Sequence, residues 1–201
     1  MRVSKAKAAE NRASLVNAAA RLLKQKGFDG AGVIEISAEA GLTQGAFYGQ
    51  FPTKSALAAE ACRQDLALGC EQWTATRGTT DNDALAYILQ YLRKGHVDDL
   101  SSGCPMATYS GEIVRQDEKV VASFTDGSTA MIDLMEAALQ SSLGPKKARS
   151  RALFLIAALA GTVAMVRATG RSAPGLADEM LQACLDEASA LTLASDPSDQ
   201  V

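Results

Sequence analysis

The sequence of 201 residues has few of the residues that build metal centres. It contains a single histidine, and its four cysteines, Cys62, Cys70, Cys104 and Cys184, form no CxxC pair. A structural zinc ion needs four nitrogen or sulfur ligands, which usually come in closely spaced pairs. We therefore expect no metal site, and no motif indicates another cofactor. We expect the thiols to be free, as in a cytoplasmic protein.

Long apolar stretches are also missing. The longest apolar run, residues 153–166, is shorter than the ~20 residues that a membrane-spanning helix requires. The N-terminal segment is polar and basic, unlike the apolar core of a secretory signal peptide. The sequence therefore predicts a cytoplasmic protein with no membrane partner.

Aromatic and β-branched residues are scarce, which argues against a β-sheet protein. Aromatic residues make up 5% of the chain, whereas Ala and Leu are abundant, and these two favour helices. No segment alternates apolar and polar residues for long. A hydrophobic content of 47% with 21% charged residues is sufficient for a folded core. We predict an all-α fold.

The net charge of −3 conceals an asymmetry along the chain. Residues 1–60 contain more basic than acidic residues and carry a net charge of +3, whereas the remainder carries −6. A basic N-terminal part on an acidic body is compatible with an N-terminal site for a polyanion.

The most informative stretch is residues 32–57. Its first part has apolar residues at helical spacing and ends at Gly41, a residue suited to the turn that follows a helix. Thr43 can then cap a second, short helix, which places Phe47 and Phe51 on one face. Two helices joined by a short turn with glycine form the helix-turn-helix pattern, whose second helix enters the DNA major groove.

The order of residues within this stretch resembles the DNA-binding domain of TetR-type regulators. The similarity lies in AGLTQGAFY at positions 40–48 and FPTKSAL at positions 51–57, and it covers roughly the first sixty residues. Two positions depart from the family pattern. Gly32 replaces a capping threonine, and Gly49 replaces a longer side chain that could contact a base or a phosphate.

The resemblance implies a two-domain, all-α organisation and a function. Residues 1–53 would form a three-helix DNA-binding domain, and residues 54–201 a larger helical domain for effector binding and dimerisation. Helix 54–76 would bridge the two. The protein would be a sequence-specific, non-enzymatic transcriptional regulator, in this family more often a repressor that a small-molecule effector releases from its operator.

The family pattern also places the DNA contacts, which have physical reasons. They fall on Thr43, Gln44, Gly45, Tyr48 and Lys54. Gln44 can make paired hydrogen bonds to an adenine edge, and Gly45 allows the backbone to approach the duplex closely. The hydroxyls of Thr43 and Tyr48 can donate to phosphates, and Lys54 adds its charge at a helix N-terminus.

A single DNA-binding domain of this size (called the head below) reads few base pairs, so we expect a homodimer on a palindromic operator. In TetR-type proteins the two last long helices pair with their symmetry mates. Here these would be the helices of residues 146–169 and 176–191. The first of them is apolar on nearly all sides, and such a helix must be buried on all sides.

The body is also expected to hold an effector pocket, lined by soft and aromatic residues. The candidates are Trp73, Tyr91, His96, Met106, Tyr109, Phe124, Met131 and Met135. Methionine adapts to irregular ligands. The alternative for each residue is an ordinary place in the core, and for His96 a core position with a satisfied hydrogen bond.

Cys104 is a candidate redox sensor. It precedes Pro105, which suits the first position of a helix, so Cys104 would be the N-cap. Free N–H groups at that helix end would favour a thiolate that responds to oxidants or electrophiles. The alternative is a small capping residue with no redox role, and we expect the other three cysteines to pack in the core.

A different class of function stays open from the sequence alone. A helical enzyme or a carrier of lipids or small molecules could use the same methionine-rich cavity. No nucleophile–base pair, metal cluster or phosphate loop supports catalysis. Salt-sensitive affinity for random duplex DNA would distinguish a regulator from a carrier.

Overall fold

The computed structural model describes residues 4–78, 82–101 and 103–193, which form ten helices and no strand. The all-α prediction is therefore confirmed. The helices are α1 (Lys5–Gly30), α2 (Val33–Glu39), α3 (Gln44–Tyr48), α4 (Lys54–Thr76), α5 (Asp83–Tyr91), α6 (Lys94–Asp98), α7 (Pro105–Ile113), α8 (Glu118–Leu143), α9 (Pro145–Thr169) and α10 (Pro174–Leu193).

The chain divides into two compact units. The first contains Met1–Ala67 and Leu100–Gly127, and the second contains Leu68–Asp99 and Ser128–Val201. Both α4 and α8 therefore contribute residues to each unit. The boundary at residue 53 that the sequence suggests concerns function, and it stays a prediction.

The first unit has a core of large apolar side chains. In it α1 packs against α2 and α7, and α2 packs against α3. The backbone of α1 kinks at Gly27, which has a φ of 75°, so that Phe28 turns into the interior. Phe28, Ile36, Phe47 and Leu57 are all buried, as the sequence predicts.

In the second unit α9 packs along α10, and α10 packs against α5. The helical spacing of apolar residues such as Leu85, Ile88 and Leu92 predicts one continuous helix for residues 83–100, and this prediction is wrong. The segment forms α5 and α6, because Arg93 takes an extended conformation and begins the second helix. The guanidinium of Arg167 on α9 donates to the carbonyls of His96 and Val97 at 3.2 and 2.8 Å. These bonds to distant residues hold α6 as a separate turn.

One helix within the described ranges is long and apolar enough to cross a membrane by length and composition, Pro145–Thr169. The core helix of a water-soluble protein passes the same test, so this is weak evidence for a membrane helix. Of the most apolar 18-residue stretch of this helix, 33% is buried inside the chain. The remaining apolar face of α9 is a feature that the function must explain.

Candidate nucleic-acid interface and effector site

The turn between α2 and α3 is set by its backbone hydrogen bonds. Gly41 has a φ of 67°, a conformation that a glycine adopts without strain. The N–H of Leu42 donates to the carbonyl of Ser37 at 2.8 Å, and the N–H of Gly41 donates to Ala38 at 3.0 Å. This pair of bonds is the Schellman motif, which ends a helix sharply. The chain therefore enters α3 in a fixed direction.

The short helix α3 has an apolar underside and a polar outer edge. Its N-cap is Thr43, whose hydroxyl accepts the N–H of Ala46 at 3.2 Å. Phe47 is fully buried, and its ring centroid lies 6.1 Å from that of Phe51, which is also buried. Because these two rings hold the helix from below, the opposite edge is left facing outward.

Four of the five residues predicted to contact DNA lie on this outer edge. Thr43, Gln44, Gly45 and Tyr48 are all exposed, and Tyr48 is 55% exposed with its ring set edge-on against Phe47. The structure thus presents hydroxyl, amide and bare backbone groups side by side, the groups that make base and phosphate contacts. Their contacts with DNA remain a prediction.

The fifth residue, Lys54, has a different environment. Its ammonium donates a hydrogen bond to the carbonyl of Phe28 and is partly buried. The start of α4 is capped by Thr53, whose hydroxyl accepts the N–H of Ala56 at 3.0 Å. Lys54 therefore tightens the first unit, and its predicted phosphate contact would have to share or replace this bond.

In the N-terminal part of the first unit, residues 4–67, most cationic side chains form ion pairs with carboxylates. The sequence alone did not reveal this pairing. The pairs are Lys7 with Glu10, Arg12 with Glu60, Arg21 with Glu39, Lys24 with Asp65, and Lys26 with Glu35. The Lys24–Asp65 pair is buried, whereas the other four are largely exposed and contribute little to stability. They do limit how much positive charge is free to attract phosphates.

Within the first unit, a buried polar network joins α7 to α1 and α4. The hydroxyl of Tyr109 donates to a carboxylate oxygen of Asp65 at 2.7 Å, and the other oxygen accepts from Lys24 at 2.9 Å. Burial, and then the charge of Asp65, raise the pKa of Tyr109 well above its ordinary value. The phenol is therefore a permanent donor to the carboxylate.

A second link, between α7 and the end of α1, is a hydrogen bond from a backbone N–H to a carboxylate. Glu112 accepts the N–H of Phe28 at 2.8 Å. A β-carbon at Gly27 would lie 2.5 Å from one oxygen of Glu112, so a larger residue there would displace this carboxylate. The Phe28 ring packs on Tyr109, with centroids 5.1 Å apart. Sequence reasoning missed Glu112, which looks like any solvated charge on a helix.

In the second unit several of the predicted effector residues come together in a row of rings. Trp73 stacks on Tyr87 with centroids 4.1 Å apart, Tyr87 lies 5.5 Å from Tyr91, and Tyr91 lies 4.7 Å from His96. The Tyr87 hydroxyl contacts the sulfur of Met131 at 3.5 Å. Sequence reasoning missed Tyr87, although it lies four residues before Tyr91 on the same helical face.

This row contains buried polar atoms that lack a partner within the chain. The indole N–H of Trp73 and Nε2 of His96 make no hydrogen bond. The buried hydroxyl of Ser128, which belongs to the same unit but not to the row, also lacks a partner. Burial, followed by the charges of Arg167 and Arg93, lowers the pKa of His96 from 6.5 to about 4. The imidazole is therefore neutral at pH 7 and has a ring nitrogen free to bond a ligand. The expectation of a satisfied core histidine is not met.

The other predicted effector residues are distributed between the units. Met135 is fully buried in the second unit. Met106 and Tyr109 are buried in the first unit, where Phe124 is half-buried. Since Tyr109 already bonds Asp65, its hydroxyl has a structural partner. A ligand role for these four residues stays a prediction.

Cys104 occupies the N-cap of α7, as the sequence predicts. Its sulfur accepts the N–H of Ala107 at 3.5 Å, and Pro105 follows at the first helical position. The residue is only 2% exposed, so a reagent would need an opening of this helix end to reach the thiol. All four cysteines lie within the described ranges and are thiols rather than members of a disulfide. Burial, with the charge of Asp65 second, raises the pKa of Cys62 to about 12.

Helices α9 and α10 leave an apolar surface open. Phe154 is 60% and Met165 53% exposed, and both line a groove of about 470 Å³. The groove is also lined by Gly161 on α9 and by Met180 and Cys184 on α10. These are the two helices that the sequence assigns to dimerisation. Large exposed apolar patches of this kind mark interaction surfaces.

The arrangement of the first unit defines a class of protein. Two helices meet at a glycine turn, and the second presents a polar edge on a buried aromatic base, the geometry of a helix-turn-helix DNA-binding transcriptional regulator. Within the described residues no cluster of three or more His, Cys, Asp or Glu side chains could hold a metal ion. Residues 15–61 match the family model of bacterial regulatory proteins, tetR family. The N-terminal segment of the chain is therefore similar to the DNA-binding domain of that family.

Solved structures of low sequence identity share the fold over most of the chain. Escherichia coli NemR in its reduced form is 22% identical, with a TM-score of 0.76 over 90% of this chain and 95% of that one. A TetR regulator from Chloroflexus aurantiacus is 19% identical, with a TM-score of 0.78 over 94% and 98%. One from Agrobacterium tumefaciens is 20% identical, with a TM-score of 0.74 over 90% and 98%. No curated protein matches the sequence.

Proposed function

We propose that the chain is a homodimeric, cytoplasmic repressor that binds a palindromic operator and is released by a small-molecule effector. The observation that carries this proposal is the exposed polar edge of α3 above a buried Phe47 and Phe51. It lies inside the segment that matches the family model.

Within this proposal the residues of α3 have separate roles. Gln44 reads a base through its amide. Thr43 and Tyr48 either donate their hydroxyls to phosphates or pack their apolar atoms against a thymine methyl group. Gly45 allows the backbone to approach the duplex. Lys54 contributes charge at the first turn of α4, in competition with its bond to Phe28.

The proposed dimer buries the open surface of α9 and α10 against the same surface of a second copy. A two-fold interface places identical patches against each other. The exposed Phe154 and Met165 and the small Gly161 suit that role, since large side chains fill grooves and glycine permits close helix approach. Two heads about one helical turn (~34–36 Å) apart, or somewhat more, would then read two half-sites.

The proposed effector binds in the second unit beside Trp73, Tyr91, His96 and Met131. Buried polar groups without partners are costly, about 1–3 kcal/mol each, and a ligand that bonds Trp73 and His96 removes that cost. Effector binding releases the operator if it favours a distance between the two DNA-binding domains of the dimer that does not match the spacing of the half-sites. A thiol-reactive signal at Cys104 is the alternative trigger, in keeping with the N-cap position of its sulfur.

The proposal is tested by titrating fluorescent duplex DNA with the full-length protein at several salt concentrations. Gln44→Ala should lose discrimination between a duplex selected by the wild type and a scrambled one. Gln25→Ala, which removes an exposed glutamine from α1, is the matched control and should change neither affinity. Lys54→Ala should weaken binding to every duplex and make the salt dependence shallower.

Two results would contradict this assignment. One is a wild-type protein with no salt-sensitive affinity for any duplex. The other is an unchanged discrimination in Gln44→Ala. A protein that binds apolar small molecules and no DNA would instead be a carrier.

A further inference from the structure

The recognition helix α3 is too weak to fix its own geometry. It has five residues, contains Gly45 and is followed by Gly49. A glycine in a helix costs about 1 kcal/mol relative to alanine, and isolated helices shorter than ~12 residues are marginal in water. The direction in which α3 presents its polar edge must therefore depend on contacts with the rest of the first unit.

The end of α3 is held by one side chain from α1. The guanidinium of Arg12 donates to the carbonyl of Gln50 at 2.9 Å. The same group lies over the Phe51 ring, with its central carbon 4.0 Å from the ring centroid. Gln50 and Phe51 are the residues in which the chain leaves α3, so Arg12 contacts both the backbone and the buried anchor at that point.

The guanidinium is itself held in place from α4. Its Nε donates to one oxygen of Glu60 at 3.0 Å, and a terminal nitrogen pairs with the other oxygen. This two-point arrangement needs the planar fork of arginine, which lysine lacks. One side chain thus joins α1, α4 and the exit of α3.

We propose that Arg12, oriented by Glu60, is a positioning residue for DNA recognition, and that it acts by fixing the exit of α3. The inference rests on the proposed DNA-binding function and adds a residue outside the helix-turn-helix. The side chain of Arg12 is 41% exposed, so a direct contact with phosphate is the competing role. The two roles predict different responses to salt and to the charge of residue 60.

The test uses full-length protein carrying Arg12→Lys or Glu60→Gln, and a duplex that the wild type selects from a random pool. Affinities for this duplex and for a scrambled one are measured over a range of salt. Arg21→Lys is the matched control, because Arg21 forms an exposed ion pair with Glu39 in the same unit. Thermal melts confirm that each variant is folded.

We expect Arg12→Lys and Glu60→Gln each to weaken binding to the selected duplex by about tenfold, as loss of a charge-assisted hydrogen bond would do. Binding to the scrambled duplex and the salt slope should not change, and Arg21→Lys should behave as the wild type. Glu60→Gln is the most informative variant. It removes a negative charge, which would strengthen DNA binding if Arg12 acted only through electrostatics.

Unchanged specific binding in both variants would overturn the inference, and so would tighter binding of Glu60→Gln to both duplexes. Hydrogen exchange gives a readout that does not involve DNA. The amides of Gly49, Gln50 and Phe51 should exchange about tenfold faster in Arg12→Lys. A wild type that binds no duplex contradicts the proposed function, whereas unaltered exchange contradicts the role of Arg12.

Discussion

Replacement of Gly27 by alanine is the strongest test of the hydrogen bond that links Glu112 of α7 to Phe28 of α1. Gly27 has φ 75° and ψ 174°, a region of backbone conformation that only glycine adopts without strain. An added β-carbon would lie 2.5 and 2.7 Å from the two carboxylate oxygens of Glu112. We expect the displaced carboxylate to lose the hydrogen bond that it accepts from the N–H of Phe28 at 2.8 Å.

The expected destabilisation follows from these two costs. Backbone strain in this region costs about 1–3 kcal/mol. Loss of a hydrogen bond to a charged group costs about 1.5–3 kcal/mol. We therefore expect Gly27→Ala to lower the free energy of unfolding by about 2.5–6 kcal/mol, with a fall in Tm on the order of 10 °C for a chain of this length.

The assay is urea denaturation followed by circular dichroism. Gly111→Ala is the matched control, since this glycine is exposed within α7 and its β-carbon would meet nothing within 4 Å. That variant should be stabilised by up to about 1 kcal/mol through better helix propensity. A Gly27→Ala protein as stable as the wild type would refute the reasoning about the bond between Glu112 and Phe28.

Three further outcomes are expected. Tyr109→Phe should lower the free energy of unfolding by about 1.5–3 kcal/mol in urea denaturation, because the buried Asp65 carboxylate loses a donor at 2.7 Å; a neutral effect would contradict the network. The pKa of His96 is lowered to about 4, so the unfolded state binds a proton first as the pH falls, and stability should decrease from pH 6.5 towards pH 4. Denaturation curves of His96→Gln should lose the part of this dependence above pH 5, and an unchanged dependence would contradict the assignment. Gly161→Ala should shift sedimentation profiles towards monomer, because it places a methyl group in the groove that the second copy would fill. Gly175→Ala should not, because Gly175 is not among the residues that line this groove, and neither β-carbon would meet an atom of its own chain within 4 Å.

The sequence was sufficient for features that depend on neighbours along the chain. The turn at Gly41, the Thr43 cap and the N-cap position of Cys104 are local, so residue order predicts them. The burial of Phe47 and Phe51 follows from their spacing on one helical face. The all-α fold follows from composition and from helical periodicity.

Features that depend on distant residues were not predictable in the same way. The break between α5 and α6 depends on Arg167, about seventy residues away, which bonds the carbonyls of α6. Arg12 and Glu112 look like solvated charges in the sequence, yet one holds the exit of α3 and the other holds Phe28. Lys54 carries the charge expected of a phosphate contact, and its bond to the distant carbonyl of Phe28 is a second role that its sequence position does not indicate.

Selection of bound sequences from a random duplex pool by the full-length protein is the most direct test of the central claim. If two copies of the chain present α3 to DNA, the enriched sequences should form a palindrome. Its half-site centres should be about one helical turn (~34–36 Å) apart or somewhat more. The Gln44→Ala protein should enrich a motif that is degenerate at a defined base in each half. No enrichment by the wild type, or enrichment of an asymmetric sequence that Gln44→Ala leaves intact, would contradict the account.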